Sequence, residues 1–239
     1  TPTSLMRWLL NTTRTEHPDY DLDGLKQGAS ATILGIASGQ GSSEMVSCLL
    51  DHGVQINARD PSGAPALVRA AANNMTDNVK TLLSRGADID MADWEGMTGL
   101  FYAVTRNHKA IVDILLDHGA NIERDNKRGW TPLFSAVFNN HTEMCQYLAS
   151  RGANFQHRDM FNNTAPDYWA SCHYGANLYD ICGKAMPQGV SINFHPRLEP
   201  NTTVDKDLGV AAGKGVNSES SLLFDPEEYK QKFHEGLPR

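Results

Sequence analysis

Three stretches hold side chains whose types and spacing could do chemistry. Asp19-Tyr20-Asp21-Leu22-Asp23-Gly24 places carboxylates at alternate positions before a turn glycine, as the opening of a calcium loop does. A working loop brings a bidentate Glu at its last position, where this chain has Ser30, and His17-Pro18 separates the stretch from any helix leading into it. An acidic, solvated turn is the better reading. Gly209-Val210-Ala211-Ala212-Gly213-Lys214-Gly215 faintly resembles a phosphate loop, but it is one residue short and lacks the Ser or Thr that would hold the metal, so it reads as linker. Asp167, Cys172, His173, Tyr174 and Cys182 crowd together and include the residue types of nucleophilic and acid–base catalysis. They form no recognisable order, and neither HExxH nor GxSxG occurs. His108 and His141 each stand just before a candidate helix, where a structural hydrogen bond is the expectation. No catalytic residue, cofactor or metal is expected.

Bulk properties narrow the remaining classes. The 239 residues are 40% hydrophobic and 21% charged, the balance of a folded globular chain. A net charge of −7 argues against a broad surface for nucleic acid or anionic lipid, both of which need concentrated Lys and Arg. No run of apolar residues is long enough for a membrane span, and the mixed opening Thr1 to Leu10 does not read as a signal peptide. Cys48, Cys145, Cys172 and Cys182 show no CxxC or finger spacing, which fits reduced thiols in the cytoplasm or nucleus. Asn-x-Ser/Thr sequons at Asn11, Asn74, Asn140, Asn162 and Asn201 are then chance matches. The start at Thr1, without Met, is that expected of a piece of a larger chain.

The elements that would position any site repeat along the chain. Gly53, Gly86, Gly119 and Gly152 are 33 residues apart. Leu34, Leu67, Leu100 and Leu133 keep the same step, as do Ala37, Ala70, Ala103 and Ala136, and the pairs Leu49-Leu50, Leu82-Leu83 and Leu115-Leu116, followed by Leu148. One unit, Asn126 to Arg158, shows the internal punctuation. Asn126-Lys127-Arg128-Gly129 is a turn. Thr131 is placed to cap a first helix, with Pro132 at its first position and Leu133 to Phe138 as its apolar side. Asn139-Asn140 breaks it, and a second helix runs from about Thr142 to Gly152, a residue suited to the left-handed end of a helix. Helices this short are marginal alone, so stacking must stabilise them, and truncating Leu115 to Ala should cost about 2 to 5 kcal/mol.

The period, the opening Gly129-Trp130-Thr131-Pro132-Leu133 and the closing Leu115-Leu116-Asp117-His118-Gly119-Ala120-Asn121 resemble the ankyrin repeat family. The resemblance implies an all-α repeat solenoid of helix-turn-helix units with projecting hairpin turns, about five units with caps at both ends. The expected units are 27–59, 60–92, 93–125, 126–158 and an irregular, capping 159–193, in which Gly189 follows Gly152 by 37 residues. Phe101 and Phe134 replace the family's His, and Ile33, Ala66 and Gly99 its Pro. Residues 1–26 form an expected N-terminal capping half-repeat. Residues 194–239 are a C-terminal extension with a linker-like run and a helix start at Asp225-Pro226-Glu227-Glu228.

In such an architecture the side chains not needed for stacking line a concave face. Register puts Trp94, Glu95 and Met97 on one fingertip, Lys127, Arg128 and Trp130 on the next, and Met160 and Phe161 on the last, with Tyr102, Arg106 and Phe138 deeper in the groove. A half-exposed Trp forgoes about 2 to 5 kcal/mol of burial, which a partner would supply. The expected function is therefore a protein-interaction scaffold that holds a protein or peptide segment of mixed charge, or the chain's own tail, in the groove, with no nucleic-acid or membrane partner. Replacing Trp94 and Trp130 together should abolish capture and leave stability within about 1 kcal/mol. The alternative is a targeting or regulatory part of a larger enzyme or channel, or an atypical enzyme with a site at the fifth unit.

Overall fold

The computed structural model describes residues 33–173 and 176–192. The proposed half-repeat at 1–26, the calcium-like turn, the Gly209–Gly215 stretch and the extension 194–239 lie outside the described residues.

Among the described residues ten helices follow in pairs: α1 (Ile33–Gln40) and α2 (Ser43–Asp51), α3 (Ala66–Ala72) and α4 (Thr76–Ser84), α5 (Gly99–Thr105) and α6 (Lys109–Asp117), α7 (Pro132–Phe138) and α8 (Thr142–Ser150), α9 (Ala165–Cys172) and α10 (Leu178–Ile181). There is no strand among the described residues, and no described helix is long and apolar enough to cross a membrane. The first helix of each pair packs between its predecessor and successor, giving the row α1, α3, α5, α7, α9. The second helices lie behind that row, with α4 against both α2 and α6.

Sequence accounts for both layers. A first helix sandwiched on two sides must be apolar nearly all round. Six of the seven residues of α3 are buried, with Arg69 the exception. A second helix needs only one apolar stripe, and α6 supplies Ile111, Val112 and Leu115. The leucine and alanine columns at Leu34, Leu67, Leu100, Leu133 and Ala37, Ala70, Ala103, Ala136 are buried, as is the second-helix column Leu49, Leu82, Leu115, Leu148. These columns join into one continuous core, in which each unit is stabilised by its neighbours.

Left-handed residues turn the chain at recurring positions, one of them in the fingers at Gly63, Gly96, Gly129 and Asn162. Between the paired helices they are Asn74, Asn107 and Asn140, at φ 59°, 57° and 56°. Asn tolerates this region better than other side-chain-bearing residues. After the second helix they are Gly53, Gly86, Gly119 and Gly152, at φ 86° to 94°. His108 Nε2 lies 3.2 Å from the Ala72 carbonyl and His141 Nε2 3.1 Å from that of Thr105. Each ring thus ties a second helix to the end of the preceding unit's first helix.

One detail differs from expectation. Thr131 occupies the position before α7, but its buried hydroxyl accepts no backbone N–H, whereas Thr98 accepts that of Phe101 at 3.2 Å. Proline at the first turn of α7 already fixes φ and removes one donor. The last pair is shorter than the others: α10 has 4 residues where α8 has 9, and the chain after it, from Gly183 to Gly189, is exposed.

Candidate partner-binding face

Each projecting finger is built on a polar side chain at its root. Asp60, Asp93, Asn126 and Asp159 accept, with one oxygen, the backbone N–H groups two and four residues ahead, at 2.8 to 3.1 Å. A backbone pair closes every finger, from Asp60 N to Ala64 O through Asp159 N to Asn163 O. Successive fingers are then joined tip to tip: Trp94 N donates to Ser62 O at 3.0 Å, Lys127 N to Glu95 O at 3.0 Å, and Met160 N to Arg128 O at 2.9 Å.

The second root oxygen reaches back to the first helix. Arg69 donates to Asp60, the Tyr102 hydroxyl to Asp93 at 2.8 Å, and the Tyr168 hydroxyl to Asp159 at 2.7 Å. Burial, reinforced by the neighbouring Asp93 carboxylate, pushes the Tyr102 phenol well above its ordinary value, so it remains a donor. At the Asn126 root the corresponding helix residue is Ser135, whose hydroxyl lies 2.7 Å from that of Thr105 in the unit before.

This geometry separates the expected site residues. The second residue of every finger, Pro61, Trp94, Lys127 and Met160, is exposed. Trp94 is 54% exposed and Met160 58%. The Trp94 indole lies over Gly63 of the preceding finger, donates to Pro61 O at 3.0 Å, and takes the Arg59 guanidinium 4.9 Å from its ring centre. A Cβ at Gly63 would stand 2.4 Å from that ring, so glycine is required there by contact and by its φ of 80°. Glu95 and Lys127 pair across adjacent tips at 3.5 Å. Phe161 and Arg128 are half-buried.

Trp130 does not belong to this exposed row. It is only 6% exposed, lies 5.2 Å from Phe138 and 5.6 Å from Tyr168 between ring centres, and donates its indole N–H to Asp159 at 3.2 Å. It is the fifth residue of its finger, in register with Ala64 and Met97, and this column points back at the helices; Met97 is likewise half-buried against the core. Ala64 and Met97, the apolar residues preceding it in that column, were the available signal. Removing Trp94 and Trp130 together therefore does not leave stability unchanged. Phe138, half-buried on Trp130, is part of the same aromatic cluster.

Arg59 is a tip residue that sequence reasoning missed. It donates to Gly63 O at 2.8 Å and to Ala92 O, linking two units. Arg106 is exposed at the end of α5 and donates to Ala72 O at 2.7 Å.

At the fifth unit, the groups that suggested catalysis have other work. Asp167 closes a capping box with Thr164, its carboxylate accepting from the Thr164 N–H at 2.8 Å. His173 stacks on Trp169 at 3.7 Å, and its two ring nitrogens meet Trp169 O at 3.0 Å and Asn140 Oδ1 at 2.9 Å. Burial pushes the Cys172 thiol up and that of Cys182 up to about 11, away from the reactive thiolate. Tyr174 lies outside the described residues. No group of three or more His, Cys, Asp or Glu suited to a metal ion occurs among the described residues.

Comparison with known families agrees with this architecture. A family model described as ankyrin repeats (3 copies) matches residues 2–93 and 90–159. No curated protein matches the chain.

Proposed function

Since the chain belongs to the ankyrin repeat family, we propose that it is a non-catalytic scaffold that holds a segment of a partner protein along its fingers and first-helix row. Ankyrin repeats serve protein–protein interaction generally, and here the supporting observation is the pair of large apolar side chains, Trp94 and Met160, left more than half in water at the tips. Between them Glu95 and Lys127 supply one charge of each sign. Aromatic anchors of this kind dominate binding energy when a partner covers them. The four cysteines are all free thiols, which fits a role in the cytoplasm or nucleus.

The test is selection of binding peptides from a displayed random library on the intact chain, followed by affinity measurement with the double variant Trp94→Ala, Met160→Ala. Both side chains are largely solvated, so stability should change by about 1 kcal/mol or less, while affinity should fall at least about tenfold. Full retention of binding by this variant would remove the tips from the interface.

A further inference from the structure

The carboxylates and guanidinium groups of this face are unequally occupied. Asp60 and Asp159 are buried and Asp93 half-buried, each turned onto its own finger's amides and one first-helix donor. Arg69 is paired with Asp60, but three other arginines bond only uncharged groups. Arg59 meets two carbonyls and the Trp94 ring, Arg158 donates to Asn162 O at 2.7 Å, and Arg106 donates from Nη1 to Ala72 O and, at 3.4 Å, to Asn73 Oδ1. Among the described residues none of these three lies within ion-pair distance of a carboxylate. On the second-helix side the pattern reverses: Arg85 pairs with Asp51 at 2.6 Å and Arg151 with Asp117 at 2.7 Å, each across neighbouring units.

We propose that the groove selects an acidic partner segment, and that an Asp or Glu carboxylate of that segment is held by the guanidinium of Arg106 at the far end of α5. This rests on the groove-binding reading above and names the chemistry of the partner. A guanidinium offers five N–H donors in a planar fork, and Arg106 uses only one nitrogen for its contacts with the preceding unit. It sits one helical turn beyond Tyr102, whose hydroxyl already occupies the second oxygen of Asp93, the root carboxylate of its own unit. Arg106 is exposed overall, but partial desolvation of its guanidinium beside Ala72, with repulsion from Arg69, lowers its pKa from the ordinary arginine value against the opposing effect of Tyr102. An incoming carboxylate would relieve that cost by forming charge-assisted hydrogen bonds. The overall charge of −7 opposes an acidic segment at long range, so the attraction acts at close contact with Arg106.

The experiment uses the same displayed random-peptide selection on the intact chain. Peptides enriched in Asp and Glu are expected, and for a chosen binder both Arg106→Gln in the protein and acid-to-amide replacement in the peptide should weaken binding about tenfold, with little further loss when combined. The peptide-side change needs no altered protein, so it reads out even if Arg106→Gln disturbs the fold. A pool without acidic enrichment, or additive losses in the cycle, overturns the assignment of Arg106 while leaving the groove reading intact if the Trp94→Ala, Met160→Ala variant still loses binding. Failure to select any peptide counts against both.

Discussion

Trp130 and Asp159 are joined across two units by a 3.2 Å hydrogen bond from the indole nitrogen to the carboxylate oxygen that also receives the Tyr168 hydroxyl. A buried aromatic ring thereby fastens one finger to the root of the next. Trp94, on the neighbouring finger, faces the opposite way, donating to the carbonyl of Pro61 and leaving most of its ring in water. One tryptophan is thus part of the framework and the other is available to a ligand.

The contrast is measurable as stability. Trp130→Ala should cost about 3 to 5 kcal/mol, because it empties a packed aromatic cluster and withdraws a donor from a buried carboxylate. Trp94→Ala should cost about 1 kcal/mol or less. Urea unfolding followed by circular dichroism separates them, and equal losses would contradict the burial described here.

Asp159→Ala removes the acceptor for two backbone N–H groups, a tyrosine hydroxyl and the Trp130 indole at once. A loss of about 3 kcal/mol or more is expected, since several buried donors are left without partners. Tyr168→Phe should cost less, because the Trp130 bond remains.

The left-handed asparagines make a backbone prediction. Asn107, at φ 57°, should lose about 1 kcal/mol on replacement by Ala and little on replacement by Gly, since only the methyl-bearing residue is strained there. Thermal unfolding of the two variants side by side tests the sign.

The thiols make a pH prediction. Burial raises Cys145 to about 12 and Cys182 to about 11 in the folded chain, against 9.0 for an unperturbed thiol. Well below pH 9 both states are protonated and no difference arises. Above it the unfolded chain releases protons first, so the contribution of these groups to stability is lost as pH rises from 9 towards 11 and 12. A disulfide-exchange reagent at pH 8 should react with both slowly in native protein and rapidly after unfolding.

Much of the candidate face could be read without coordinates, and its errors are instructive. Register aligned Trp94, Lys127 and Met160, and all three are exposed finger residues. Register from the turn glycine also assigns Trp130 to a fingertip, but its side chain is buried, in the same column as the buried Ala64 and half-buried Met97. The residues of the fifth unit attracted attention by type alone. Type does not reveal that Asp167 caps a helix or that both nitrogens of His173 are engaged.

The sequence by itself determined the period, the leucine and alanine columns that become the core, and the glycines and asparagines that turn the chain, because each of these is a local requirement repeated every 33 residues. Only the tertiary structure decided which charges are already satisfied. Asp60, Asp93 and Asp159 are occupied within their own fingers, whereas Arg106 reaches the end of the preceding unit's first helix and Arg85 and Arg151 pair with Asp51 and Asp117 of the unit before, so the balance of charge left facing a partner depends in part on contacts between units that no single repeat contains.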